Sequence, residues 1–333
     1  MVKAKPHAPL KDGIMLAWQR ECYRSTTTAS VFGAELTLLW PEFSQSRIGK
    51  LARYFVSFWR TFLHVLKRKP SVTIVMNLPS FAPLAVLLAS FLVRSKVVLD
   101  FHSGALTDKF WSKFTPLYKY IAKRAPFVIC HNLFDGAEVE SWGGKPFYLI
   151  ALPRNFDGVP ISPPPVQPSV LVVCSFRADE PINLLIETMK QCPNVNFEVT
   201  GSFRKAGLVP SDMPKNISLL GFIDYADYIE KMSLSTAIIT LSDRSHIMQA
   251  AVHEAISLGV PVIANKSNTL ESVLGTAGQF ADLNVPSLRE AIALTVTNAS
   301  PMREKAQELK QFHWKKISLA LEKLRDENKS LFK

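Results

Sequence analysis

Runs of Val, Ile and Leu without polar alternation recur along the chain, separated by segments of helical spacing. In the first half they are IMLAW (14–18), AELTLLW (34–40), SVTIVMN (71–77), KVVLDFH (96–102) and FVICHN (127–132), with YLIALP (148–153) as a sixth. A strand covered on one face alternates apolar and polar residues, whereas an unbroken apolar run is buried on both faces, as in a parallel sheet. Strands alternating with helices form right-handed βαβ units, so the first half predicts an α/β layer. The pattern stops at DGVPISPPPVQPS (157–169), whose five prolines and lack of periodicity predict a stiff interdomain linker. It restarts with VLVVCSF (170–176), NFEVTGSF (196–203), ISLLGF (217–222), TAIITLSD (236–243) and PVIAN (261–265). Between these runs, helices are expected over PINLLIETMKQC (181–192), DYADYIEKM (224–232) and about 247–258. The charged tail from about Pro301 carries Leu309, Phe312, Ile317, Leu321 and Leu324 at approximate helical spacing. The expected organisation is an α/β domain over 1–156, a linker over 157–169, a second α/β domain over 170–300 and terminal helices over 301–333.

Composition agrees with two folded domains. The chain has 333 residues, of which 47% are apolar, which excludes disordered and collagen-like classes. Charge is uneven: residues 1–150 hold 20 basic and 9 acidic side chains, and residues 151–333 hold 19 of each. The net +11 therefore lies in the first half and points to an anionic partner there. Cys22, Cys130, Cys174 and Cys192 show no metal-ligand or redox spacing, as expected of free thiols in a reducing cytosol. The basic start is followed by too short an apolar run for a signal peptide. The longest apolar stretch, 78–93, holds two prolines and is too short to span a membrane.

One segment of the first half stands out. RIGKLARYFVSFWRTFLHVLKRK (47–69) places Arg and Lys among Ile48, Leu51, Phe55, Phe58, Trp59, Leu63 and Leu66. That is a basic amphipathic helix with aromatic residues, the pattern of a membrane-surface element. A sheet-covering helix with a solvated basic face has the same pattern. Nucleic-acid binding would also explain the charge, but no binding motif accompanies it.

Ligands of parallel sheets sit at the carboxyl ends of the strands. His102, followed by Ser103 and Gly104, and His131, followed by Asn132, occupy such ends, where a histidine can hold a ligand or act as a general base. Trp18 and Trp111 are further candidates for facing a ligand, although packing is the commoner role of tryptophan. In LSDRSHIMQAAVHEAISLGVPVIAN (241–265), a polar loop opens a helix whose free N–H groups can hold a phosphate. Glu254 lies inside that helix, eight residues after His246, so the two can present to one ligand, and its carboxylate can accept both hydroxyls of a ribose. Gly259 ends the helix before Pro261 begins the next strand.

The run HEAISLGVPVIAN resembles the C-terminal signature of family 4 glycosyltransferases of the GT-B fold, an E-x7-E pocket followed by E-A-x-x-x-G-x-P-V-I-A. Glu254, Ala255, Gly259, Pro261, Val262, Ile263 and Ala264 match it. TGSF at 200 and Gly221-Phe222 resemble the strand and the turn that face the nucleobase, and FHWKKISLALEKL at 312 is similar to the family's closing helix. Two positions depart from the pattern. His246 stands where the first Glu of E-x7-E is usual, in a D-R-S-H-I-M-Q loop that resembles a bacterial subgroup. The segment C-S-F-R-A-D-E-P replaces the usual diphosphate clamp, with Arg177 one place from the expected Arg and Pro181 in place of the Lys.

The resemblance implies an α/β GT-B fold: two Rossmann-like parallel-sheet domains facing a cleft, with a C-terminal crossing helix. It implies a metal-independent, retaining glycosyltransferase that uses a UDP- or GDP-linked sugar as co-substrate and needs no cofactor. The expected donor contacts are Glu254, His246, Ser245, Arg244, Gln249, Arg177, Glu180, Gly221 and Phe222, with Ser103 and the catalytic candidate His102 on the acceptor side. The expected acceptor is a glycan or lipid-linked precursor of a surface polysaccharide or glycoconjugate. Together with the charge asymmetry, this predicts a cytoplasmic protein peripheral to an anionic membrane, with no nucleic-acid partner. The alternatives on the same fold are a non-catalytic membrane-associated partner of another transferase, and a sugar-nucleotide epimerase or hydrolase.

Overall fold

The computed structural model describes residues 8–333 except Glu21, Gln45, residues 152–155, 157, 160–162 and 164, Ser245 and His246. The chain divides into two compact units, Met1–Ile150 with Ile317–Lys333, and Ala151–Lys316.

The strands of the first unit are β1 (Gly13–Ala17), β2 (Glu35–Leu38), β3 (Val72–Met76), β4 (Lys96–Phe101), β5 (Val128–Cys130) and β6 (Pro146–Tyr148). They form one parallel sheet in the order β2-β1-β3-β4-β5-β6. Its helices are α1 (Tyr23–Val31), α2 (Arg47–Arg68), α3 (Phe81–Val93), α4 (Gly104–Thr107), α5 (Thr115–Ala122) and α6 (Leu133–Ser141). β1 and β3 are buried along their whole length, as unbroken apolar runs require. The sixth strand lies two residues earlier than the apolar run at 148 suggests. Pairing with β5 sets its place, with Val128 opposite Pro146 and Cys130 opposite Tyr148.

The second unit contains β7 (Ser169–Val172), β8 (Asn196–Thr200), β9 (Ile217–Gly221), β10 (Ala237–Thr240), β11 (Val262–Asn265) and β12 (Gly278–Ala281). Its helices are α7 (Ile182–Lys190), α8 (Tyr225–Leu234), α9 (Ala250–Leu258), α10 (Asn268–Leu274) and α11 (Val285–Thr297), followed by α12 (Ala299–Glu327). The sheet is again parallel, in the order β12-β11-β10-β7-β8-β9. That order reverses between β7 and β10, whereas the first sheet reverses between β1 and β3. At such switch points the connections leave to opposite faces and open a crevice at the strand carboxyl ends. The terminal segment, expected as a helix or a helix pair, is one helix. Its residues up to Lys316 belong to the second unit, and the chain from Ile317 belongs to the first.

The last residues complete the core of the first unit. Phe332 is buried against the rings of Phe32 and Phe127, with centroids 6.5 and 6.4 Å away, and forms an antiparallel bridge with Leu10.

Helix α2 covers the sheet, with Val65 in its core and Tyr54, Phe58, Phe62 and Leu66 half-buried against it, but its exposed face is apolar as well as basic. Ser46 caps its start, accepting from the Gly49 N–H at 3.1 Å, and Lys69 ends it in a left-handed conformation. The buried stripe is Gly49, Arg53, Ser57, Thr61 and Val65, while Ile48, Leu51, Phe55, Trp59 and Leu63 are exposed. Small and polar residues face inward because the inner positions are already assigned. Thr61 accepts the Trp18 indole N–H at 2.8 Å, and Arg53 donates to the carbonyls of Pro41 and Phe43 and lies over the Trp40 ring.

Candidate functional site

In the second unit, the loop after β7 and the loop after β10 meet at the switch point. Glu180 shapes the first: its carboxylate accepts from the backbone N–H of Ser175 (3.0 Å) and of Arg177 (2.8 Å) and from the Ser175 hydroxyl (3.0 Å). Both oxygens of Glu180, an expected ligand contact, thus accept from its own loop. Gly201, at the end of β8, adopts φ +97°, and a Cβ there would overlap the Cys174 carbonyl oxygen. Only glycine permits this approach.

The two loops are joined by Asp179. Its Oδ2 accepts the Ser242 hydroxyl at 3.1 Å, and its carbonyl accepts the Asp243 N–H at 2.9 Å. The guanidinium groups of Arg177 and Arg244 approach the same carboxylate, at 3.8 and 3.5 Å, and remain mostly exposed. The sequence assigned both arginines to one diphosphate, and the structure brings them together on Asp179, a residue the sequence did not single out. Ser242 and Asp243 are fixed from the other side, where Asn265 at the end of β11 accepts the Ser242 N–H at 3.0 Å.

Helix α9 follows. It starts at Ala250, three residues later than expected, with Gln249 at its cap position but no side-chain capping bond. The Gln249 amide oxygen and nitrogen are both buried, and neither has a hydrogen-bond partner among the described residues. A buried amide without partners costs free energy, so a ligand that supplied them would recover it. Ser245 and His246, both expected here, lie outside the described residues. Glu254 is buried in α9, and its two oxygens accept from Tyr225 at 3.1 Å and Tyr228 at 2.7 Å, both on α8. These tyrosines were not anticipated. Gly259 ends α9 at φ +65°, and Gln307 donates to the Leu258 carbonyl at 3.2 Å. Gly221, at φ +73°, ends β9 and leaves Phe222 78% exposed.

The first unit gathers a second cluster. Asp100, fully buried near the end of β4, has a histidine on each oxygen: His131 Nε2 at 2.5 Å from Oδ1 and His102 Nε2 at 3.3 Å from Oδ2. Burial works to raise the Asp100 pKa, but His131 and His102 more than offset it and hold the carboxyl well below the usual carboxylate range. Arg24 Nη1 lies 3.3 Å from His102 Nδ1. A guanidinium only donates, so Nδ1 accepts and the ring proton sits on Nε2, toward Asp100. Asn77, at the end of β3, fixes the His102 backbone, accepting its N–H at 3.0 Å and donating to its carbonyl at 3.3 Å.

The ligand atoms of Asp100, His102 and His131 lie within 4.8 Å of one another, a spacing that could hold a metal ion. The Arg24 guanidinium on His102 opposes a second cation there. Ser103, expected among the substrate contacts, donates to Asp135 at 2.9 Å and accepts from Asn132 at 3.0 Å. It belongs to the network that starts α6, in which Asn132 also caps the Asp135 N–H at 2.7 Å.

At the switch point of this sheet lies a pocket of about 750 Å³, lined by Trp18, Arg20, Trp40, Leu78, Pro79 and Trp111 among others. Trp18 is nonetheless mainly a packing residue, buried and stacked on Tyr54 at 6.4 Å. Trp111 meets the Tyr54 ring edge-on at 6.0 Å.

No protein-family model matches the sequence, and no curated protein matches it. Solved structures do resemble it. Sucrose-phosphate synthase from Thermosynechococcus elongatus superposes with a TM-score of 0.69 at 15% identity, over 96% of this chain and 100% of that one. HepE from Anabaena in complex with UDP gives 0.68 at 14% identity, over 96% and 100%, and its complex with UDP-glucose gives 0.66 at 14% identity over the same shares. A glycosyltransferase from Rickettsia africae gives 0.68 at 13% identity, over 96% and 98%. At these identities the likeness is one of fold, and the fold is GT-B.

Proposed function

We propose that the protein is a glycosyltransferase that moves a sugar from a nucleotide-sugar donor to a glycan or lipid-linked acceptor. The observation that carries this reading is the pairing of Arg177 and Arg244 on Asp179, in the loops after β7 and β10, the second of which leads into α9, where the Gln249 amide is buried without a partner among the described residues. Two exposed guanidiniums on loops, one of which leads into a helix N-terminus, suit a diphosphate, and charge-assisted bonds to it would stabilise the negative charge that builds on a departing nucleotide. Glu254 takes the ribose, since a carboxylate oxygen that accepts one tyrosine hydroxyl has capacity for another donor. The exposed Phe222 takes the base. The neighbours bound to UDP and to UDP-glucose support a nucleotide diphosphate as the leaving group.

On the acceptor side we assign the pocket of tryptophans in the first unit, with His102 and Arg24 beside it at the strand ends. Because Arg24 covers His102 Nδ1, His102 suits holding a hydroxyl or sugar better than abstracting a proton. That agrees with retention of configuration, which needs no general base. The reaction proposed is metal-independent and cytoplasmic, in polysaccharide or glycoconjugate synthesis.

A thermal-shift series with UDP, GDP, ADP and their sugar conjugates tests the donor site, because ligand at about 100 times its Kd stabilises the folded state by about 2.7 kcal/mol. A shift with one nucleotide that is lost in Glu254→Ala supports the site, and turnover of that donor with an acceptor supports the reaction. One feature favours a second reading. Pro181, which precedes α7, stands where the resembling family has its clamp lysine. A non-catalytic partner of another transferase would show no turnover with any donor.

A further inference from the structure

The outward face of α2 continues onto α3. On α2 the stripe Ile48, Leu51, Phe55, Trp59 and Leu63 is exposed, with Ile48 at 80% and Phe55 at 67%. α3 packs directly beside it and adds Leu88, Phe91 and Leu92, the last 68% exposed. Soluble surfaces scatter single apolar residues, but here eight exposed ones fall on two helices packed side by side. The border is cationic: exposed Arg47 and Lys50 lie at the start of α2, Arg60 midway and Lys67 and Lys69 at its end, and Arg94 and Lys96 follow α3, whereas Arg68 pairs with Asp12 and Glu35. Neither helix contains an acidic residue.

We infer that this face is a docking surface for an anionic lipid bilayer, with α2 lying flat in the headgroup layer. The charge decides the occupant. A second copy of the chain would set this cationic border against itself, whereas anionic headgroups complement it while the aromatic and aliphatic stripe enters the acyl boundary. No helix among the described residues is long and apolar enough to cross a membrane, so the contact is peripheral. The inner face of α2 holds Trp18, through Thr61, and Tyr54, which packs on Trp18 and Trp111 of the pocket. The same helix thus faces lipid on one side and the pocket on the other. The inference does not rest on the donor site, and survives if the reading of that site fails.

The test is co-sedimentation of the full chain with vesicles of phosphatidylcholine alone and of phosphatidylcholine mixed with phosphatidylglycerol, at low and high salt. Strong binding to the mixed vesicles only, weakened by salt, is expected. Phe55→Ser/Trp59→Ser should lower that binding at least tenfold while keeping the wild-type circular dichroism spectrum and Tm, since both side chains point outward. Arg60→Gln/Lys67→Gln should lower it and flatten the salt dependence. Binding to neither vesicle overturns the inference, as does equal binding to both, or unchanged binding by the Phe55/Trp59 variant. A dimer that the same variant dissociates, without vesicle binding, assigns the face to a second copy and also overturns it.

Discussion

Ser242 donates its hydroxyl to Asp179 over 3.1 Å, tying the loop after β10 to the loop after β7. The acceptor of that bond is also the only carboxylate shared by Arg177 and Arg244 among the described ion pairs. It holds the arginines together but sets a negative charge beside the expected diphosphate. A repulsion of unit charges about 6 Å apart, at an effective dielectric near 40, is about 1.4 kcal/mol per phosphate charge, whereas loose exposed ion pairs contribute up to about 1 kcal/mol. Repulsion therefore wins. Asp179→Asn, which retains an acceptor for Ser242, is expected to bind UDP roughly three- to tenfold more tightly by titration calorimetry at low salt. Weaker binding would mean that the carboxylate acts chiefly by orienting the arginines.

Glu254 accepts from two tyrosines of α8, so its removal has a structural as well as a ligand effect. Glu254→Ala is expected to lower unliganded stability by about 1–2 kcal/mol, as two partly buried hydroxyls lose their acceptor. It should also abolish the nucleotide-induced shift. If Glu254→Gln, which keeps one acceptor oxygen, retains the shift in full, ribose recognition lies elsewhere.

Asp100 gives a pH dependence whose sign is fixed. Its pKa in the folded protein lies below the ordinary value of 3.8, so the folded state favours the carboxylate. The stabilisation is complete above pH 3.8 and is lost as the pH falls toward the lowered folded value. Asp100→Asn replaces the charged acceptor shared by His102 Nε2 and His131 Nε2, whose ring burial keeps neutral at pH 7, and is expected to cost about 1.5–3 kcal/mol. The gap between wild type and variant should narrow below pH 4 in urea unfolding. A gap independent of pH would show that packing, not charge, is what the substitution removes.

His102 separates positioning from binding. His102→Ala is expected to lower kcat at least tenfold with the donor Kd unchanged, since its contacts run to Arg24, Asp100 and Asn77 within the first unit. Unchanged turnover would remove His102 from the reaction.

Gly201→Ala tests the loop framework. With φ at +97° and the Cys174 carbonyl oxygen in the way, the new methyl group can be placed only by moving the loop that carries Arg177. Destabilisation of about 2 kcal/mol or more and loss of UDP binding are expected, read by thermal unfolding and calorimetry.

Strand runs were legible where burial on both faces imposes a continuous apolar sequence, as in SVTIVMN and TAIITLSD. β12, GQFA, was not, because an edge strand that is mostly half-buried carries no such run. The loop positions of Arg177 and Arg244 and the place of Glu254 inside α9 were legible from the strand and helix pattern around them. Asp179 was not: its importance comes from Ser242, 63 residues away, and only the adjacency of β7 and β10 brings them together. The Asp100–His131 contact likewise follows from the pairing of β4 with β5. The loop-bracing bonds of Glu180 and Ser103 were not legible, because a polar residue in a strand-end loop looks the same whether it serves the loop or a ligand. For α2, amphipathy was plain, but its direction was set by Trp18 and Trp40, which claim Thr61 and Arg53 for the inside.

The burial of Phe332 against Phe32 and Phe127 has a bearing on synthesis. Chains emerge N-terminus first, and domains tend to fold as they emerge. Here the final aromatic layer of the first unit leaves the ribosome only after the whole second unit, whose residues are contiguous from Ala151 to Lys316. The second unit can close on the translating ribosome, while the first waits with part of its apolar interior open. Until the last residues arrive, that interior is a surface for chaperones to hold.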